Sequence, residues 1–361
     1  MIANNKKETI TTNQIVWLIV ALGPMGIITL PREISLYAQQ SGWIMLTLAY
    51  LPVLLFSRFI YMLAKRYPGK NIIAINDIIL GKALGRSVSL FLIFLLIFAS
   101  ATSARLQAEI VDIYLLIHTP MFVIILAMLL AIMYVINNGI GTIARFNEIL
   151  QPLIIFVFLV VLFLTLPDTD FSNFLPLISD EISWRKVVMP SLYPYILLFA
   201  IPFLSHFSPQ PKQLWRGMFW AILIIFIRTL MLFIFIIALF GTVETQYIQY
   251  PSIDLTRVIQ FPVLERMEIL FMIFWVSIEF GVLTVFCYLG SLSLQKLITK
   301  GSFFRWSLIL ILIISVLSLL PDNIDDTKRV ASYLQKLSIG TFFIFFPLLV
   351  FIDSLKKRVK R

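Results

Sequence analysis

Apolar residues in this chain gather into runs of about 17 to 25, the length needed to cross roughly 30 Å of hydrocarbon. Short polar tracts separate them. The pattern predicts an all-α integral membrane protein with ten spans, at 14–36, 42–64, 88–117, 121–137, 146–166, 188–207, 214–242, 267–296, 304–320 and 336–355. Two spans are interrupted: the first by Gly23-Pro24-Met25-Gly26, the sixth by Pro194 and Pro202. Glycine frees the backbone, proline removes a donor, and the residue before proline leaves helical dihedrals, so unwinding is expected around Phe199 to Ile201. A break inside a bilayer exposes N–H and C=O groups at several kcal/mol each, on the order of. It survives only where protein, water or a ligand satisfies them. In the first span, the helix restarting near Ile27 offers a partial positive charge to a carboxylate; the plainer alternative is a packing kink.

Two sets of five spans, each opening on a discontinuous helix, predict an inverted-repeat transporter architecture with a site between the repeats. The repeats cover about 14–166 and 188–355, one transmembrane domain within 1–355, and residues 356–361 form a basic tail. Three connections invite structure of their own. Asn71 to Gly85 has helical spacing and is expected along the cytoplasmic face. Gln246 to Arg266 is expected to cap a vestibule, and Asp168 to Arg185 is acidic. The polar start, Met1 to Gln14, leads into a run with no small-residue cleavage site, so the first span is read as retained.

Composition agrees: 60% of the 361 residues are hydrophobic and 13% charged, with mean hydropathy +0.95. The net charge of +10 comes from short basic tracts between runs, so it reports orientation and does not point to nucleic acid. Lys6, Lys7, Lys65, Arg66, Lys70, Lys82, Arg86 and the tail fall on one side, which predicts both termini in the cytoplasm. One cysteine, Cys287, and two histidines, His118 and His206 at span ends, leave no disulfide, metal motif or cofactor to expect. Nor is there a GxSxG, HExxH or P-loop, so no enzyme is expected.

Polar residues inside spans are the candidate chemistry. Ser100, Ser103 and Gln107 fall at i, i+3, i+7 of the third span, and Ser277, Gly281 and Thr284 at i, i+4, i+7 of the eighth; both stripes should turn inward. Small-residue helix packing is the plainer reading. Embedded charges need partners or a polar cavity. Arg105 and Glu109 form an i,i+4 pair able to satisfy itself. Glu279 lies at a depth similar to that of Arg228, either as half of an interhelix ion pair or as a proton or amino-group acceptor.

Beyond these physical readings, several motifs match a known family. They are Leu30-Pro31 with Gly42-Trp43, Tyr67-Pro68-Gly69-Lys70, and Tyr250-Pro251-Ser252-Ile253-Asp254-Leu255-Thr256-Arg257 leading into Leu264-Glu265-Arg266 and Trp275. Over nearly its whole length the chain resembles the B subunits of spore germinant receptors, a branch of the amino acid/polyamine/organocation superfamily. The resemblance implies a LeuT-like fold in the spore inner membrane, with A-type and C-type subunits as partners and a small germinant as ligand. It implies a pocket on the first, third, sixth and eighth helices, which here means Gly23, Pro24, Met25, Gly26, Ser100, Ser103, Leu198, Phe199, Ala200 and Thr284. A secondary amino-acid transporter coupled to H⁺ or Na⁺ would need the same pocket.

Overall fold

The computed structural model describes residues 9–23, 26–179, 182–208, 210–259, 267–298 and 300–359. Its α-helices are, in order, α1 Thr12–Val20, α2 Leu30–Ala38, α3 Gly42–Arg66, α4 Ile72–Leu80, α5 Lys82–Tyr114, α6 Met121–Ile136, α7 Ile140–Thr165, α8 Trp184–Ser191, α9 Ile201–Leu204, α10 Pro211–Tyr247, α11 Pro251–Arg257, α12 Met267–Ile298, α13 Phe303–Ser318, α14 Ile324–Gly340 and α15 Phe346–Val359. No strand occurs among the described residues. Among the described residues, six helical stretches are long and apolar enough to cross a membrane, or seven if the bent pair built on α8 is one span. Helices α6 and α13, at 16 residues each, fall short of the usual crossing length, so the expected count of ten rests on the sequence pattern.

The first expected span is broken into α1 and α2. A capping box starts α1, with Thr11 accepting from the Gln14 amide and the Gln14 side chain accepting from the Thr11 amide. The helix stops at Ala21, and a turn with Gly26 at φ +78° precedes α2. Only glycine adopts that conformation cheaply, and a Cβ there would also meet the Tyr193 ring at 2.7 Å. Pro24 and Met25 lie outside the described residues.

The sixth span breaks at Pro194, ahead of the unwinding expected next to Pro202. Helix α8 ends at Ser191, the chain bends by 48°, and Tyr193–Ala200 is wound as a 3-10 helix before α9. Phe199 and Ala200 are therefore tightened rather than unwound, and Ile201 opens α9. The physical reason is Pro194, which has no N–H to continue the ladder of α8 and sits at the start of the next winding. From α14, Gln335 Nε2 donates to the Met189 carbonyl at 2.6 Å, tying that helix to the break.

One connection is helical as its spacing predicts, and one span starts earlier than expected. Asn71 caps α4, which turns its Ile72, Ile75, Asn76 and Ile79 inward against α5, so the segment is packed into the bundle. The last expected span begins not near residue 336 but at Ile324, where Asn323 accepts from the amides of Asp325 and Asp326. It continues through a π-turn at Thr341–Phe345 into α15.

Packing places α1 against α7 and α10, α5 against α12 and α14, and α2 against α8 and α10. The largest buried side chains include Phe199, Phe286, Leu18, Ile19 and Leu22, which puts the centre of the core where the half-helices meet α12. One face of the bundle gathers the start of α1, with the Ile10 amide bonded to the Phe207 carbonyl, and the end of α15. There Arg66 meets Asp353 at 2.6 Å, Tyr67 donates to the same carboxylate, and His206 Nδ1 lies 2.7 Å from the Gly69 carbonyl.

Candidate ligand-binding cavity

The opposite end of the bundle holds a cavity of about 400 Å³ where the two breaks meet. Helix α2 and the turn before it supply Gly26, Ile28, Thr29, Glu33 and Tyr37. Helix α5 supplies Ser103, Leu106, Glu109 and Ile110, and α12 supplies Trp275 and Glu279. Tyr193 comes from the sixth-span break and Tyr250 from the loop before α11. Exposed Lys186 and Lys328 stand on the same lining, from α8 and α14.

Ser103, Leu106 and Ile110 follow helical spacing, so one face of α5 looks into the space. Gln107 is turned off that face, donating at 2.9 Å to the Val276 carbonyl of α12. Ser100 is buried lower down and donates to the Leu96 carbonyl. On α12 the expected stripe does not share one environment: Ser277 is half-exposed and bonds the Ile273 carbonyl, Gly281 faces Asn147 of α7, and Thr284 is buried and bonds the Gly281 carbonyl. Leu198, Phe199 and Ala200 are fully buried in the main core, with Phe199 packed on Phe286 at 5.9 Å between ring centroids. Gly23 lies against Ile225 and Arg228 of α10, where a Cβ would come within 3.1 Å of the guanidinium. Of the expected pocket residues, Gly26 and Ser103 therefore reach this cavity, and Gly23, Ser100, Leu198, Phe199, Ala200 and Thr284 are packed elsewhere in the bundle.

The embedded charges sort into two pairs. Arg105 Nε meets Glu109 Oε1 at 2.7 Å, both side chains buried. Thr327 of α14 donates to that same oxygen at 2.6 Å. Arg228 and Glu279 are within electrostatic range of each other, yet no ion pair joins them, and Arg228 Nε and Nη2 have no hydrogen-bond partner among the described residues. Among the described residues, three further buried atoms, on residues that line the cavity, also lack partners: Ser103 Oγ, Glu109 Oε2 and Trp275 Nε1. A buried polar atom left unpaired costs about 1–3 kcal/mol. The residues that line the cavity thus carry buried polar atoms without partners beside apolar walls, a composition that suits a small-molecule site.

In the sequence the Tyr250-Pro251-Ser252 motif stands only as a family resemblance. The structure gives it a physical task. Ser252 Oγ donates at 2.9 Å to the Ile27 carbonyl, satisfying the backbone at the first-span break. Burial, with Glu109 and Tyr114 nearby, pushes the Tyr250 hydroxyl up to about 12, against a smaller opposing pull from Gln249. It is therefore a protonated donor at any physiological pH.

A model of a family described as spore germination protein matches residues 9–327. Among individual proteins, the chain is similar to spore germination protein YndE of Bacillus subtilis, 26% identical over 341 residues that cover 92% of this chain and 93% of that one. It is also similar to spore germination protein A2 of Bacillus subtilis, 23% identical over 340 residues covering 92% of each. Spore germination protein GerLB of Bacillus cereus is 22% identical over 342 residues, 92% of this chain and 91% of that one. Among solved structures, the fold matches that of Mhp1, a nucleobase-cation-symport-1 family transporter in a closed conformation with bromovinylhydantoin bound. The TM-score is 0.64 at 11% identity, covering 95% of this chain and 78% of that one. At that identity the likeness carries the fold, a LeuT-like helical bundle with discontinuous helices.

Proposed function

Because this chain belongs to the spore germination protein family, we propose that it is the germinant-binding transmembrane subunit of a spore germination receptor and takes a small amino acid in the cavity between the broken helices. The observation that carries this reading is the set of buried, unpartnered Ser103, Glu109 and Trp275 atoms on the lining of one 400 Å³ space at the two breaks. A zwitterion answers that set. Its ammonium offers donors to carboxylate and hydroxyl oxygens, and its carboxylate accepts from Trp275 Nε1 and the Tyr250 hydroxyl, with Lys328 and Lys186 adding positive charge. In this reading Gly26 and Ser103 touch the ligand, while Gly23, Ser100, Leu198, Phe199, Ala200 and Thr284 form the packed layer that supports it.

Binding biases a two-state rearrangement of the half-helices only by the ligand's difference in affinity for the two states. The receptor reading places both termini in the cytoplasm, the cavity on the outer side, and A-type and C-type subunits alongside. Spores lacking this chain should fail to germinate on one amino acid, while vegetative cells lacking it grow normally. Unaltered germination on every amino acid would refute the assignment.

The fold shared with a symporter supports a second reading, secondary transport of an amino acid coupled to H⁺ or Na⁺. Purified chain in proteoliposomes separates the two. Concentrative uptake of radiolabelled amino acid under an ion gradient favours the transporter, and saturable binding without accumulation favours the receptor.

A further inference from the structure

We propose that Glu109 is the acceptor for the ligand's ammonium group, with Arg105 and Thr327 as the residues that position it; this rests on the cavity being the germinant site. Glu109 is 5% exposed, and its two oxygens differ. Oε1 is filled twice, by Arg105 Nε at 2.7 Å from one turn below and by Thr327 Oγ1 at 2.6 Å from α14. Oε2 is buried, on a residue that lines the cavity, and has no partner among the described residues. Two donors on one oxygen hold the carboxylate and leave the second oxygen without a donor among the described residues.

The other acids of the lining are less suited. Glu33 is half-buried and lies 4.0 Å from Arg32, and Glu279 shares its field with the Arg228 guanidinium. The neighbouring hydroxyl of Ser103, less than two helical turns away on α5, is likewise unpartnered. A carboxylate oxygen and a hydroxyl on the lining of one space together suit a group with several donors and a positive charge, which a primary ammonium is and an amide or carboxylate is not. The consequence is chemical selectivity: a free amino group is required, and acylating it removes both the charge and two of the three donors.

The test uses full-length protein in lipid nanodiscs and equilibrium binding of the twenty free L-amino acids, each beside its N-acetyl derivative. Wild type should bind at least one free amino acid and reject its N-acetyl form by on the order of 100-fold or more, since a site built for hydrogen bonds rejects the analogue that leaves them unmade. Glu109→Gln should weaken the free form by roughly 30-fold or more and bring the two forms close together. Because Glu109→Gln strands Arg105, the charge-neutral double variant Arg105→Gln with Glu109→Gln is measured too and should show the same loss of discrimination. Thr327→Val keeps the ion pair but releases the carboxylate, and should lower affinity for the free form alone. If wild type binds and discriminates while both Glu109 variants keep that discrimination, the inference is overturned and the germinant site stands. If wild type binds none of the panel, the site reading itself fails and takes the inference with it.

Discussion

Gly26 is where the two breaks touch, because its left-handed backbone brings the first-span turn against the Tyr193 ring. Gly26→Ala should therefore cost about 1–3 kcal/mol of overpacking in addition to its backbone strain, read as a lower melting temperature of the purified protein. The Gly-Pro-Met-Gly pattern announced the break itself, but Tyr193 as its packing partner was not legible, since that contact joins residues far apart in sequence. The charged pair divides the same way. Spacing of four along one helix gave Arg105 to Glu109 without coordinates. Nothing local names Thr327 as the third member. Arg105→Ala should be destabilising by about 3–5 kcal/mol because it leaves the buried Glu109 carboxylate uncompensated, whereas replacing both residues with glutamine should cost much less. Thermal unfolding of the single and double variants checks the difference.

Among the elements, α11 and α14 hold parts that hydropathy alone does not read. Helix α11 is too short and too polar to register as a span, yet its Ser252 satisfies the Ile27 carbonyl at the break. Ser252→Ala should leave that carbonyl unpaired, costing about 1–3 kcal/mol, and speed amide exchange around residues 27–30 more than elsewhere. The polar first turns of α14 fall outside the span that hydropathy predicts because Asp325, Asp326, Lys328 and Arg329 interrupt the apolar run. They are helical because Asn323 caps them and acidic residues occupy the first turn. Through Thr327 and Gln335 this helix bonds both α5 and the α8 break. The sequence predicts unwinding at residues 199–201 because proline preferences are local; the chain bends instead ahead of Pro194, where Gln335, far along the sequence, bonds the Met189 carbonyl of α8.

For the molecule as a whole, the two faces carry separable expectations. Cys287 is the single cysteine and is buried, so Cys287→Ser provides a clean background for Lys328→Cys, which should react with an impermeant maleimide from outside intact cells. Labelling only after the membrane is opened would reverse the proposed orientation. At the other face, Tyr67 donates to Asp353, and burial first, then that bond, pushes its hydroxyl up to about 12. A raised value means the protonated form is favoured by folding. The contribution is complete below about pH 10, the unperturbed tyrosine value, and is lost as pH rises through about 12. The melting temperatures of wild type and Tyr67→Phe should accordingly converge over that alkaline interval.

What the sequence by itself determined is the membrane class, the two broken helices and the helix-local charge pair, because each depends on spacing within about one helical turn or one bilayer crossing. The pocket was different. Only tertiary structure decided which polar atoms are left unpaired around one space, since that depends on which faces of α2, α5, α12 and α14 are turned together, and packing between distant segments sets that rotation. The stripes on α5 and α12 had the right residue types, but a stripe defines a direction only relative to its own axis. Contact with neighbouring helices turned Gln107 to a carbonyl of α12 and Ser103 to the cavity.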